Sequence, residues 1–128
     1  MMSFSKSTQL LSGLFIIIIT IALVVTLKPL PQPTPDNCGM VTGEVVKIIE
    51  GEGKNDILIN LKGDKNYYYV NRGLERGLKL EDLKSQLSNN DITLYYIKNW
   101  SFLDPYSQTK HIARLDIDGR NIYNEMNE

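Results

Sequence analysis

The sequence predicts two parts: one transmembrane helix near the amino terminus, and behind it a small mainly-β barrel domain of five strands and one short helix. Residues 10–27, LLSGLFIIIITIALVVTL, are apolar and uncharged. Residues 40–128 alternate apolar and polar side chains in short stretches, which glycine and asparagine turns separate. A proline-rich linker, residues 28–39, lies between the two parts.

The apolar run is long enough to cross a membrane. Its eighteen residues form a helix of about 27 Å, against a hydrocarbon layer of about 30 Å. It has no polar stripe, which a helix of a soluble protein would keep. A cleaved signal peptide stays open as the alternative, although the run is longer than a signal h-region and no small-residue cleavage site follows it. We therefore predict a membrane anchor at 10–27 and a short tail at 1–9.

The flanks of this helix indicate its orientation only weakly. Lys6 precedes the run and Lys28 follows it, so the positive charges near the two ends are equal in number. The chain's amino group adds to the first side. We expect the tail in the cytoplasm, the helix in the cytoplasmic (inner) membrane and the domain outside the cytoplasm.

The linker contains four of the five prolines, at alternate positions from Pro29 to Pro35. Such a stretch favours extended polyproline geometry at about 3.1 Å per residue. We therefore expect a semi-rigid spacer of roughly 25 Å that holds the domain off the bilayer.

The periodicity of the domain predicts its elements. Leu80, Leu83 and Leu87 recur at helical spacing among polar residues. The other regular segments alternate with the period of a strand, and Asp118-Gly119 is a hairpin signal leading to Ile122 and Tyr123. The predicted strands are residues 41–50, 57–62, 67–70, 92–97 and 111–117, and the predicted helix is 80–87.

This order, with the helix between the third and fourth strands, resembles the oligonucleotide and oligosaccharide binding (OB) barrel. The resemblance covers roughly residues 41–123 and implies an OB-like barrel closed at one end by the helix. An SH3-like barrel and an α+β roll stay open as alternatives. The whole chain also resembles small single-pass bacterial envelope proteins with an OB-like domain, a type from which no functional residue can be transferred.

The charge of the domain argues against nucleic acid as its ligand. Twelve basic and fifteen acidic residues follow residue 35, a formal charge of −3. Phosphate contacts need clustered lysine and arginine. A nucleic-acid-binding domain therefore remains only as the alternative for a cytoplasmic location.

The inventory of reactive residues is small. His111 and Cys38 are the only histidine and cysteine, too few for a zinc site. His111 with Ser107 and Asp104 would make a small hydrolase, which stays an alternative. Residues 114–125 match a calcium-binding loop only in part, because Arg114 stands where the first Asp should be. We expect a non-enzymatic protein with no cofactor and no metal.

The connection between the fourth and fifth strands carries the most informative cluster. Trp100, the only tryptophan, lies there with Phe102 and Tyr106. In OB barrels this connection commonly contacts the ligand, and Tyr68 lies on the third strand. We predict that these four aromatic side chains bind a protein, peptide or glycan partner. As the alternative, Trp100 and Phe102 fold back over one end of the barrel.

Overall fold

The computed structural model describes residues 3–52 and 55–126. The predicted tail, the predicted turn at 51–55 and the end of the domain each lie partly outside these residues. The fold class is confirmed: an apolar amino-terminal helix precedes a closed five-stranded barrel, with one short helix between the third and fourth barrel strands. The elements are α1 Lys6–Thr26, β1 Cys38–Glu50, β2 Ile57–Leu61, β3 Tyr67–Val70, α2 Leu80–Leu87, β4 Asp91–Ile97, β5 Thr109–Ile117 and β6 Arg120–Asn124.

Helix α1 is long and apolar enough to cross a membrane, with 21 residues and a mean hydropathy of 2.5. A signal sequence has the same properties, so this finding alone does not separate the two. The helix begins four residues before the predicted run, because the Ser5 hydroxyl caps it by accepting a hydrogen bond from the Thr8 N–H at 3.3 Å. Residues 6–9, which the sequence placed in a tail, are therefore helical.

The barrel closes through a parallel pairing between β3 and β5. Strand β1 pairs antiparallel with β2 and with β4, β2 pairs with β3, and β4 pairs with β5. Tyr67 to Tyr69 then run parallel to Thr109 to His111. This pairing closes the five strands into a barrel and is consistent with an OB-like barrel.

Strand β1 is long because it pairs with two neighbouring strands, each along a different half. Its first half, Cys38 to Glu44, pairs with β4, and its second half pairs with β2 after an irregularity between Val45 and Lys47. The strand begins at Cys38, three residues before its predicted start. Cys38 and Gly39, which the sequence placed in the linker, are thus part of the barrel.

Helix α2 closes the barrel end where β3 finishes and β4 begins. Leu83 and Leu87 are 3% and 0% exposed and belong to the core, whereas the polar residues of the helix face solvent. The core that they join consists of inward-facing side chains from β1 to β6.

Strand β6 extends the sheet beyond the barrel. The hairpin predicted at Asp118-Gly119 is present, with both residues at positive φ (50° and 74°), as a tight hairpin turn requires. The strand pairs with the last part of β5, while β3 pairs with its first part. As a result, the Glu125 N–H donates to the carbonyl of Ala113 at 2.8 Å, in the middle of β5.

The linker folds onto the barrel over its second half. Pro33 is buried, and the Asn37 carbonyl accepts a hydrogen bond from the Lys98 N–H at 2.8 Å. The Asn37 side chain also donates to the Gln32 carbonyl at 2.7 Å. The expectation of an extended spacer along the whole proline-rich stretch is therefore wrong. We call the barrel end where the linker joins β1 the anchor end.

Candidate binding site at the anchor end

The aromatic loop, residues 98–108 between β4 and β5, lies at the anchor end, because Cys38 at the start of β1 pairs with Ile97 at the end of β4. It exposes four large apolar side chains. Trp100 is 54% exposed, Phe102 60%, Leu103 80% and Tyr106 84%. The alternative in which Trp100 and Phe102 fold back over the barrel is therefore not what the structure shows.

Internal hydrogen bonds hold this loop in shape. The Asp104 carboxylate accepts from the N–H groups of Gln108 at 3.1 Å and Thr109 at 2.8 Å. The Trp100 indole N–H donates to the Pro105 carbonyl at 3.1 Å, and its ring meets the Phe102 ring edge-to-face at 4.7 Å between centroids. The Trp100 and Phe102 rings are thus fixed relative to each other, which would lower the entropy lost on binding a ligand.

Tyr68 does not share this surface. Its ring is 2% exposed in the barrel core, and its hydroxyl donates to the Asp64 carboxylate at 2.6 Å. Burial and the neighbouring Asp64 raise the pKa of Tyr68 well above that of a free tyrosine. The structure therefore brings Trp100, Phe102 and Tyr106 together and separates Tyr68 from them.

The neighbouring Tyr69 takes the place predicted for Tyr68. It is half-buried, and its ring meets the His111 ring edge-to-face at 5.2 Å. Burial also raises the pKa of Tyr69. The sequence did not distinguish the two residues. In a run of three tyrosines, a shift of one residue in the strand pairing exchanges the side chains that face the core with those that face out.

A pocket of about 190 Å³ lies between the aromatic loop and β3, and we call it the anchor-end pocket. Apolar side chains from the linker, β3 and β4 line it together with polar side chains from the loop and β5. These residues are Leu30, Tyr69, Ile97, Asn99, Ser101, Asp104, Thr109 and His111. The mixture suits a ligand that has both an apolar face and hydrogen-bonding groups.

Beneath this pocket, His111 belongs to a cluster around the Glu125 carboxylate. The His111 ring is 8% exposed, and its Nε2 contacts Glu125 Oε1. The Tyr123 hydroxyl donates to Glu125 Oε2, and Arg76 Nη1 lies 3.3 Å from the same oxygen. One carboxylate therefore joins β5, β6 and the segment between β3 and α2.

The surroundings keep Glu125 ionised. Burial by itself raises the pKa of the Glu125 carboxyl, but hydrogen bonds from His111 and Tyr123 and the charge of Arg76 outweigh burial and hold it below the ordinary value. Burial of Tyr123 and the adjacent Glu125 carboxylate together raise the pKa of the Tyr123 hydroxyl.

This arrangement engages one of the two ring nitrogens of His111. Nε2 is occupied by Glu125, and Nδ1 is buried with no hydrogen-bond partner in the described part of the chain. A general base must reach the proton that it removes. Because Glu125 already engages Nε2, that nitrogen is not free to contact a ligand in the pocket.

The hydrolase triad of Ser107, His111 and Asp104 is not assembled. The Ser107 hydroxyl donates to the Asn99 carbonyl at 3.4 Å, and Asp104 is occupied by the backbone of its own loop. Nor do residues 114–125 form a calcium loop, since they form the β5–β6 hairpin, in which Arg114 pairs with Asp116 of the same strand at 2.9 Å. Over residues 3–52 and 55–126, no group of three His, Cys, Asp or Glu is arranged to hold a metal ion.

Comparison with models of known protein families gave no match, and comparison with curated proteins gave no relative of significant similarity. The sequence interpretation missed Glu125 as the partner of His111, although one signal pointed to it. The two-residue turn at Asp118-Gly119 brings the residues after it back along β5. A register shift between Leu115 and Asp116, which the turn does not predict, then places Glu125 opposite Ala113, two residues from His111.

Proposed function

We propose that the protein is a non-enzymatic OB-like binding module, anchored in the inner membrane of a bacterium by α1 with the barrel outside the cytoplasm. Its ligand would be a protein, peptide or glycan of the envelope, bound at the anchor-end pocket and the Trp100 ring beside it. The observation that supports this proposal is the aromatic loop, which internal hydrogen bonds hold in shape. Its exposed aromatic rings lie next to a pocket lined in part by polar groups.

The rings and the polar groups are placed to act together. Trp100, Tyr69 and Asn99 line a second cavity of about 380 Å³ that shares several residues with the anchor-end pocket. Aromatic rings stack on sugars and on apolar side chains. The amide of Asn99 and the hydroxyl of Ser101 supply the few convergent polar groups that orient a bound ligand.

The non-enzymatic part of the proposal is supported by the contact of His111 Nε2 with Glu125 and by the separate engagement of Ser107 and Asp104. The binding part is supported by the place of the loop, since the connection between the fourth and fifth strands is a ligand-contacting loop of OB barrels.

The test is affinity capture in detergent, where no bilayer competes for the loop. The full chain in micelles serves as bait for a detergent extract of bacterial envelopes. We expect one species to be retained by the wild type and lost with Trp100→Ala and with Asn99→Ala. Met40→Ala, which trims an apolar side chain that is 63% exposed on β1, is the matched control and should retain it. Identical capture by all four baits would contradict this site.

A further inference from the structure

We propose that the tip of the aromatic loop, formed by Phe102, Leu103 and Tyr106, inserts into the interface of the bilayer that holds α1. The barrel then has a second membrane contact besides its helix. This inference rests on the anchoring role of α1 proposed above, but not on the identity of the ligand.

The tether between helix and barrel is short. Because Pro33 is buried and the Asn37 carbonyl is bonded to Lys98, the linker is fixed to the barrel from residue 33 onward. Only residues 27–32 are left to span the gap between α1 and the barrel. Six residues reach about 22 Å at most when fully extended, so the anchor end must stay close to the membrane surface.

The aromatic loop is on the side of the tether. The linker enters β1 beside Ile97, the last residue before the loop. Trp100 lines a cavity together with Val25, Thr26 and Lys28, which are the last turn of α1 and the start of the linker. If α1 spans the hydrocarbon layer, its last turn lies at the boundary with the headgroups, and Trp100 lies at about the same depth.

The exposed side chains are those that bilayer interfaces favour. Tryptophan and tyrosine concentrate at the headgroup level of membrane proteins, and phenylalanine and leucine enter the acyl boundary below it. The three tip residues are 60% to 84% exposed, more than Trp100 at 54%. A protein partner would also fit apolar side chains, but the short tether keeps this tip close to lipid whether or not a partner is present.

The charges around the tip are compatible with a membrane surface. Lys98 and Lys110 flank the loop and Lys28 follows α1, so their ammonium groups can contact lipid phosphates. The only carboxylate of the loop, Asp104, already accepts two backbone hydrogen bonds within the loop. Its charge is thus compensated locally when the loop leaves water.

Trp100 makes the test possible without a label, since it is the only tryptophan. The full chain is reconstituted into vesicles of phosphatidylcholine and phosphatidylglycerol whose acyl chains carry bromine at shallow or deep positions. We expect emission shifted to the blue of that of a solvent-exposed tryptophan, protection from acrylamide, and stronger quenching by shallow than by deep bromine. Emission that bromine does not quench would overturn the inference. Unquenched Trp100 that acrylamide reaches would lie in water. Unquenched Trp100 that acrylamide does not reach would be covered by a second copy of the protein, and this outcome would also overturn the inference.

A triple variant distinguishes insertion of the loop tip into the bilayer from a position of Trp100 close to the bilayer without insertion. Phe102→Ser with Leu103→Ser and Tyr106→Ser leaves Trp100 as reporter and should lose most of the quenching by shallow bromine. Val46→Ser removes an apolar side chain that is 55% exposed on β1 outside the loop and should keep it. Undiminished quenching in the triple variant would also overturn the inference. Flotation of the vesicles tests the anchor itself: protein that does not float refutes the proposed anchoring, whereas protein that floats with unquenched Trp100 refutes only the docking of the loop.

Discussion

Glu125 links β5 and β6 to the segment before α2 through the contacts of one carboxylate. Its carboxylate contacts His111, Tyr123 and Arg76, and its side chain is only 15% exposed. Glu125→Ala leaves these donors without an acceptor, so we expect a loss of about 2 kcal/mol in the free energy of unfolding. Urea unfolding of the full chain in micelles, followed by near-UV circular dichroism, measures it. Glu75→Ala, which removes a more exposed carboxylate paired with Arg72, should cost much less, and equal losses would contradict the role of the cluster.

The same carboxylate predicts how stability depends on pH. The folded pKa of Glu125 lies below the ordinary value of 4.5, so the unfolded chain binds more protons in the acid range. This contribution is fully present above the unfolded pKa and is lost as pH falls through the folded pKa. We expect a decline below about pH 5 that is shallower in Glu125→Gln, as measured by the free energy of unfolding at a series of pH values. Parallel curves for the two proteins would refute this assignment.

Single residues also show where sequence reasoning succeeds and where it fails. The exposed position of Trp100, Phe102 and Tyr106 is consistent with their place in a polar loop without strand period. The burial of Tyr68 was not predictable, because the choice among three tyrosines depends on the pairing of β3 with β2 and β5. Local sequence specifies the loop, whereas the sheet decides which tyrosine faces inward.

At the level of elements, α2 is the plug of the barrel end opposite the aromatic loop. Leu87 is fully buried against the core. Leu87→Ala should lower the free energy of unfolding by about 3 kcal/mol, because it removes buried methyl groups and leaves a cavity. Gln86→Ala, on the solvent side of the same turn, should change stability little. Thermal unfolding of both variants measures the difference, and a small loss for Leu87→Ala would show that α2 is not an essential plug.

The start of β1 illustrates why element boundaries were harder to predict than elements. Asn37, Cys38 and Gly39 have little strand propensity, so the sequence favoured a linker there. In the structure, Gly39 is buried opposite Tyr96, and a Cβ at this position would lie 2.5 Å from the Tyr96 ring. Tertiary pairing with β4 therefore extends the strand where local preference does not.

For the whole molecule, the order of strands and helix was enough to predict the barrel class, because a helix between the third and fourth strands has few compact solutions. The parallel β3–β5 closure and the extra strand β6 could not be derived from period alone, since both depend on contacts between distant segments. The binding site could not be predicted from the sequence either, because it is built from the linker, β3, β4, β5 and the aromatic loop together.

The orientation of the whole molecule in the membrane is its most consequential property, since a cytoplasmic barrel would make nucleic acid a candidate ligand again. Lys6 is the first residue of α1 and Lys28 lies two residues beyond its end, so neither side has the larger positive charge. The proposed location of the barrel outside the cytoplasm places the amino end inside. We therefore expect alkaline phosphatase fused after Glu128 to be active, which requires export, and a green fluorescent protein fusion at the same site to be dark.

Two matched lysine variants test the charge argument behind this orientation. Lys6→Gln removes a positive charge from the inner side and should lower phosphatase activity per fusion molecule. Lys28→Gln removes one from the outer side and should raise it or leave it at its maximum. Both substitutions remove one charge next to the same helix, so a difference between them arises from position alone. Fluorescent fusions without phosphatase activity would place the barrel in the cytoplasm and reverse the proposed topology, whereas equal behaviour of the two variants would mean that the lysines do not set it.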